Sequence, residues 1–250
     1  RALGVATPTE SKDITIQGES KAGTVVGPTS GSVNQNVFVL SDSADGATLN
    51  NLTVSSRATG SFGAIRVFDA GGGASIDNVD LTGITVTGLA SSTSYGISFG
   101  TAASGWDLDD VTITKFISGI DNRAATVTNT TITNSLFTDN QNGIYVTANM
   151  SVIPNTNLFD GLTVTDTTFN NNHETGVYFE GLKNATFTRV TINNTNFSPC
   201  PGCNQARGVQ LNLKNGTYSN ISFVNSKVTN SFHEGLVLQV RGYAGDSGTY

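Results

Sequence analysis

The chain has 250 residues, of which 13% carry charge, and its formal net charge is −6. This length corresponds to one domain. The acidic balance argues against nucleic acid as a partner, and no apolar run approaches the length of a membrane span. Abundant Gly, Asn, Thr and Ser favour strands and tight turns over long helices.

A six-residue phrase recurs along the chain. Its fourth and sixth residues are apolar, except Thr130, and its fifth is Thr, Ser or Asp, which predicts a strand with one buried face. Its third residue is Asn, Asp or Gly except at Arg189, and these types tolerate left-handed backbone, so we predict a bend there. The phrase opens the chain at 11–16 and recurs at 49–54, 76–81, 108–113, 127–132, 159–164, 187–192 and 218–223.

A second phrase follows each copy from residue 49 onward. It is a glycine, an aliphatic residue, a variable residue and an apolar residue, although Asn122 breaks the last position. We predict a unit of bend, strand, connection, glycine turn and second strand, stacked as a solenoid. The phrase begins at Gly96, Gly119, Gly143, Gly176, Gly208 and Gly235, with a looser version at Gly63.

These phrases resemble the right-handed parallel β-helix repeats of the pectin-lyase-like superfamily over about residues 11–241. The opening segment 14–19 is similar to an early coil of that family. The resemblance implies an all-β, right-handed parallel β-helix of about eight coils, a fold that carries unrelated activities. We expect residues 1–250 to form a single β-helix domain that is a segment of a longer polypeptide, because neither end offers an obvious cap.

Equivalent positions of stacked coils align into columns on the outward face. The residue two after each glycine and the residue four after it supply tyrosines, carboxylates, an arginine and amides, which suit sugar rings and hydroxyls. Alternatively, such residues occupy outward strand positions because they favour strands. The candidate carbohydrate-binding residues are Asp121, Arg123, Tyr145, Tyr178, Glu180 and Gln210.

The residues just before the glycines supply candidates for catalysis, namely His173, Arg207 and His233, together with Tyr178. A lyase or epimerase needs a base beside a neutralised uronate, and Arg with His or Tyr could provide both. The alternative is a surface charge ladder, worth about 0–1 kcal/mol per pair.

A glycoside hydrolase is less favoured. The segment 95–100 resembles a motif of the polygalacturonase branch, but Tyr95 stands where that branch has a histidine, and its paired aspartates have no counterpart. The resemblance therefore favours a polysaccharide lyase or epimerase among the enzymatic alternatives.

Three further motifs have competing interpretations. Cys200 and Cys203 form a lone C-x-x-C, for which we favour a disulfide within a loop, with free thiols or half of a metal site as alternatives; no complete zinc site is present. Threonine pairs at 112–114, 131–133 and 163–165 resemble an ice-binding ladder, or are β-branched residues on an exposed strand face. The acidic run 107–110 could bind calcium, or is a coincidence of carboxylates on a turn.

Taken together, these patterns favour a secreted or cell-surface module that acts as a structural or adhesive scaffold. Its expected partners are polysaccharide or other cell-surface components and flanking domains of the same polypeptide. We expect no cofactor unless calcium takes part and no dedicated metal site. The alternative is a carbohydrate-active enzyme that acts on an acidic polysaccharide.

Overall fold

The computed structural model describes residues 2–3, 14–28, 30–31, 34–41, 44–69, 75–89, 93–149, 151–152, 154–195 and 206–242. Those ranges contain 28 β-strands and no helix. All strand pairs are parallel, and they form three sheets of nine, eleven and eight strands. We number the sheets 1, 2 and 3 in the order in which the chain visits them.

Sheet 1 holds the glycine phrases. Its strands are Ala2–Leu3, Phe38–Leu40, Gly63–Val67, Tyr95–Phe99, Ser118–Asn122, Asn142–Val146, Thr175–Phe179, Arg207–Lys214 and Leu236–Arg241.

Sheet 2 follows sheet 1 in each coil. Its main strands are Thr15–Gln17, Thr48–Asn50, Asp80–Thr82, Asp107–Asp109, Thr126–Thr133, Leu158–Thr165, Ala185–Thr188 and Ile221–Val224, and the short strands Ile76–Asp77, Ala103–Ser104 and Leu182–Lys183 pair alongside them.

Sheet 3 completes the coil. Its strands are Val25–Val26, Thr53–Ser55, Thr85–Thr87, Thr112–Thr114, Leu136–Thr138, Thr168–Asn170, Thr191–Asn193 and Lys227–Thr229.

Each strand pairs with its equivalent one coil later. In sheet 1, for example, Ile97 pairs with Ile120 and Ile120 with Ile144. Because the chain passes through sheets 1, 2 and 3 in turn and repeats this path, it winds into a parallel β-helix of eight coils. The hand is right, as in about 98% of parallel crossover connections. The predicted fold, a right-handed parallel β-helix, is confirmed.

The interior is filled by columns of apolar side chains, one from each coil. Phe137 and Phe169 stack with ring centroids 4.8 Å apart, and Phe187 stacks on Phe223 at 4.4 Å. Trp106 is buried, and its indole N–H donates to the carbonyl of Ile76 at 2.8 Å. Burial of each large apolar side chain contributes about 1.5–3 kcal/mol, so the coils are held together mainly by these columns.

The predicted bends are present in all seven later copies of the phrase. The third residue has a positive φ in each copy, including 52° at Arg189, where no glycine or amide occupies the bend. These residues are Asn51, Asn78, Asp110, Asn129, Gly161, Arg189 and Asn220.

The sequence predicted that every copy of the phrase would occupy the same place in its coil. In the structure the copies occupy two different places. Leu108 pairs with Ile132, whereas Val127 pairs with Phe159. Copies 49–54, 108–113 and 187–192 therefore turn between sheets 2 and 3, and the others bend within sheet 2. The same type of bend residue with a positive φ is used at both places. Each coil therefore passes through three sheets, whereas the sequence predicted two strands per coil.

The glycines of sheet 1 are required by close packing between coils. A Cβ atom at Gly143 would lie 2.4 Å from the carbonyl oxygen of Gly176 and 2.5 Å from a ring carbon of Phe169. A real Cβ atom cannot approach that closely. The glycine column therefore aligns the variable residues that follow each glycine on the outward face of sheet 1.

Candidate functional site

The structure places the residue two after each glycine in one column on sheet 1. The register runs through Ser98, Asp121, Tyr145, Tyr178, Gln210 and Val237. In a parallel sheet these neighbours are about 4.8 Å apart. Equal offsets from the glycine thus become contacts across successive coils.

Four side chains from this face form a stacked ladder, in the order Tyr95, Arg123, Tyr145 and Tyr178. The guanidinium of Arg123 lies 5.2 Å from the ring centroid of Tyr95 and 5.0 Å from that of Tyr145. The rings of Tyr145 and Tyr178 stack at 4.9 Å with an 18° angle between their planes. Both faces of Tyr145 are therefore in use, which leaves its hydroxyl edge rather than a ring face for any further contact.

A buried carboxylate fixes the arginine of the ladder. Nε of Arg123 donates to Oδ1 of Asp121 at 2.9 Å and to Oδ2 at 3.2 Å. Asp121 is only 3% exposed, and burial raises its pKa against the opposing effect of the guanidinium. The pKa of Arg123 is lowered by burial but raised more by Asp121, with a net increase. Within the described residues the Nη groups of Arg123 make no hydrogen bond, and its side chain is 45% exposed.

A second buried network lies at the other end of the ladder. The carboxylate of Glu180 accepts hydrogen bonds from the Tyr178 hydroxyl and the Lys214 ammonium, and from the Ala148 backbone N–H at 2.8 Å. The side-chain amide of Asn212 donates to the Tyr178 hydroxyl at 2.9 Å. Burial, followed by the hydrogen bond to Glu180, raises the pKa of Tyr178. Tyr178 therefore remains a neutral phenol whose hydroxyl hydrogen is donated to Glu180.

This face is more enclosed than the sequence predicts. Glu180 and Gln210 are 5% and 4% exposed. The segment after Asn142–Val146 folds back, and the Asn155 backbone N–H donates to the carbonyl of Asn215 at 2.6 Å. The hydroxyl of Tyr218 donates to the carbonyl of Glu180 at 3.1 Å. These contacts cover the end of the ladder that contains the carboxylate of Glu180.

Sequence reasoning missed Lys214 and Tyr95 as members of the face. Lys214 lies six residues after Gly208, and even offsets from the glycine point outward. The sequence analysis considered only the residues two and four after each glycine, and the residue six after Gly208 is Lys214. Tyr95 precedes its glycine, so its position had to come from the stacking of Arg123 on its ring.

The catalytic candidates are directed at different groups. Arg207 pairs in register with Thr175, and its Nε donates to Glu234 at 2.8 Å. Tyr178, three residues along the strand from Thr175, directs its hydroxyl at Glu180. The structure therefore brings Arg207 and Glu234 together on this face, and it directs Tyr178 to a different network.

The two histidines lie in separate local settings. His173 is half-buried, and its backbone N–H donates to the carbonyl of Asn140 at 2.8 Å. His233 is exposed and packs edge-on against the ring of Phe232, with centroids 5.0 Å apart.

The remaining sequence motifs add no metal site in the part of the chain that the structure describes. No group of three or more His, Cys, Asp or Glu residues there could hold a metal ion. Asp110 of the acidic run instead pairs with Lys21 at 2.7 Å. Cys200 and Cys203 lie outside the described residues. Over the same ranges, no helix has the length and apolarity to cross a membrane.

Comparison with solved structures gives likenesses of fold. Tailspike protein 2 of an Escherichia coli O157:H7 bacteriophage matches with 14% identity and a TM-score of 0.46, over 89% of this chain and 33% of the tailspike. ORF18 of Geobacillus virus E2 matches with 12% identity and a TM-score of 0.40, over 92% of this chain and 50% of the viral protein. This chain thus spans about a third to a half of those proteins.

A mannuronan C-5 epimerase A-module from Azotobacter vinelandii has 13% identity and a TM-score of 0.40. The match covers 94% of this chain and 81% of that module. No protein-family model and no curated protein sequence matches this chain.

Proposed function

We propose that this protein is a secreted or cell-surface β-helical module that binds a polysaccharide along the outward face of sheet 1. The observation that carries this proposal is the stacked ladder of Tyr95, Arg123, Tyr145 and Tyr178. The hydroxyls of Tyr95 and Tyr145 and the guanidinium of Arg123 belong to successive coils, about 4.8 Å apart. A polymer lying along the helix axis would meet one polar group at each step.

The ladder is organised before any ligand arrives. Arg123 is held by Asp121 on one side and by two rings across its faces. A side chain already fixed in its bound conformation loses little entropy on binding, which improves affinity without new contacts. The module can therefore act as a scaffold that grips a polymer through repeated modest contacts.

The chemistry of Arg123 favours a polymer that contains uronic acids. Its Nη groups are open to solvent on one edge and can donate two parallel hydrogen bonds to a carboxylate. Asp121 neutralises the net charge of the site but leaves these donors in place. Hydroxyls of the neighbouring tyrosines would then hold the sugar on either side.

A lyase or epimerase is the second candidate, and the buried network of Tyr178, Glu180 and Lys214 favours it. A buried tyrosine with a perturbed pKa, in contact with a carboxylate, is the kind of group that clusters at active sites. In such an enzyme Tyr178 would hold substrate as a neutral phenol, since its raised pKa disfavours both loss of its proton and a resting phenolate base.

Retardation in native gels containing alginate, pectate or neutral dextran, with and without calcium, tests the proposal. We expect uronate polymers to retard the protein and Arg123→Ala to abolish the effect. Tyr145→Phe, which keeps the stack and removes one hydroxyl, should weaken it in a folded protein. Arg189→Ala is the matched control, because Arg189 lies at a corner of sheets 2 and 3.

Two outcomes would redirect the proposal. If no polymer retards the wild-type protein, or if Arg123→Ala is retarded as strongly, sheet 1 is not a polysaccharide-binding face. If the wild-type protein instead generates unsaturated chain ends, seen as new ultraviolet absorbance, or changes the uronate epimer composition, the enzymatic candidate is correct.

A further inference from the structure

The outward face of sheet 3 is a two-column array across six consecutive coils, in which every residue except Leu136 is a threonine, serine or asparagine. Each coil contributes one three-residue strand whose middle residue points into the core. One column contains Thr53, Thr85, Thr112, Leu136, Thr168 and Thr191, and the other contains Ser55, Thr87, Thr114, Thr138, Asn170 and Asn193. Among these twelve positions eight are threonine and none is charged.

This array differs from the threonine ladder that the sequence suggests. Thr112 and Thr114 belong to sheet 3, whereas Thr131 and Thr163 pair with each other in sheet 2. The register therefore divides the ladder between two faces. On sheet 2 the threonine rows are interrupted by the adjacent carboxylates of Asp80 and Asp107, and only the sheet 3 face remains uncharged over six coils.

Three hydroxyls of the first column have no hydrogen-bond partner among the described residues, whereas in the second column Thr87 donates to the Gly88 carbonyl and Thr138 to the Asp139 carboxylate. Within the described residues, the side chains of Thr85, Thr112 and Thr168 make no hydrogen bond, and each is half-buried among its neighbours. Threonine has a restricted χ1 angle, so these hydroxyl and methyl groups point in fixed directions. Their donors and acceptors are left to water.

Strand geometry fixes the spacing of this array in two directions. Successive coils place equivalent hydroxyls about 4.8 Å apart, and two residues along a strand add about 6.6 Å. Ordered water that bridges such groups loses little free energy on immobilisation. Methyl groups between the hydroxyls restrict where that water can sit, and none of the twelve positions carries a charge.

We propose that the sheet 3 face binds ice. Its ligand is the oxygen lattice of a crystal surface, which repeats in two dimensions on a scale comparable to this array. A lattice of fixed period selects a rigid array of fixed period. This activity is independent of polysaccharide binding, because sheet 3 and sheet 1 are different faces of the coil.

Thermal hysteresis of the full chain, measured as the gap between melting and freezing of a single ice crystal, tests the inference. We expect a measurable gap, shaped crystals and incorporation of the protein into slowly grown ice. Thr112→Lys places a charge at the centre of the array and should remove all three effects. Thr163→Lys adds the same charge on sheet 2 and should leave them unchanged, with circular dichroism melts showing that both variants fold.

Other results would overturn the inference. Wild-type protein that is excluded from ice and shows no hysteresis does not bind ice through this face. Equal hysteresis in Thr112→Lys and wild type would exclude sheet 3. A wild-type dimer that Thr112→Lys converts to monomer would show that a second copy covers the face instead.

Discussion

Nε of Arg123 lies 2.9 Å from Oδ1 of Asp121, a carboxylate that is almost completely buried on the outward face of sheet 1. The two residues are separated by one position in the chain, so a single strand end fixes both. Asp121 anchors the arginine, and the arginine carries two tyrosine rings on its faces. The position of Arg123 between the rings of Tyr95 and Tyr145 therefore depends on this ion pair.

Removal of the arginine should destabilise the fold as well as the ladder. Arg123→Ala leaves a buried carboxylate without its partner, which costs about 1–3 kcal/mol. Urea unfolding of the variant should show this loss in the free energy of unfolding. The double variant Asp121→Asn with Arg123→Ala should recover part of it, since no charge then remains buried. An equal loss in the single and double variants would contradict this account.

The pH dependence of stability should report the burial of Asp121. Its pKa in the folded protein is raised by burial, above the ordinary value of about 3.9. The folded state then binds the proton more tightly, so the stabilising contribution is complete below the ordinary pKa and is lost as pH rises through the raised pKa. Asp121→Asn does not titrate.

The free energy of unfolding of Asp121→Asn minus that of wild type should therefore increase with pH across that window and then level off. Urea titrations at a series of pH values measure the difference, and comparison with wild type removes the contributions of the other carboxylates. A difference that decreases with pH would mean that Arg123 outweighs burial and lowers the pKa.

Regular repetition explains which parts of the site the sequence could predict. Tyr145, Tyr178 and Gln210 share an offset from their glycines, and stacking of coils preserves that offset as a column. The bend positions followed in the same way from residues that tolerate a positive φ. The alternation of strand residues was sufficient to predict the outward column, and the residue types that tolerate a positive φ were sufficient to predict the bends.

Contacts made by irregular segments could not be predicted in this way. Glu180 is enclosed partly by Tyr218 and by the segment after Val146, and neither repeats from coil to coil. Assignment of each six-residue phrase to a corner also failed, because an asparagine bend has the same sequence signature wherever the strand turns. The register between coils, which divides the threonines between sheets 2 and 3, is a tertiary property.

The glycine column gives a prediction with an internal control. A Cβ atom at Gly143 would collide with the backbone of the next coil and with Phe169, so Gly143→Ala should lower the free energy of unfolding by about 1–3 kcal/mol. Gly235 has the same place in the last coil, and its nearest neighbour would be 3.6 Å from a Cβ atom. Gly235→Ala should change stability by less than about 0.5 kcal/mol. Chemical denaturation of both variants compares them, and equal losses would show that the glycines are needed for backbone conformation instead.

The bend column after sheet 3 contains one residue poorly suited to its backbone. Lys115 has a φ of 68°, whereas Asn171 and Asn194 occupy the equivalent bend in later coils with φ of 53°. A left-handed conformation costs a residue with an ordinary side chain about 1–2 kcal/mol, and asparagine adopts it more readily. Lys115→Asn should therefore raise the free energy of unfolding by about 0.5–1 kcal/mol. Lys115→Val, with a β-branched side chain at positive φ, should lower it, and the opposite order of the two variants in urea unfolding would show that the lysine makes a contact that outweighs its backbone strain.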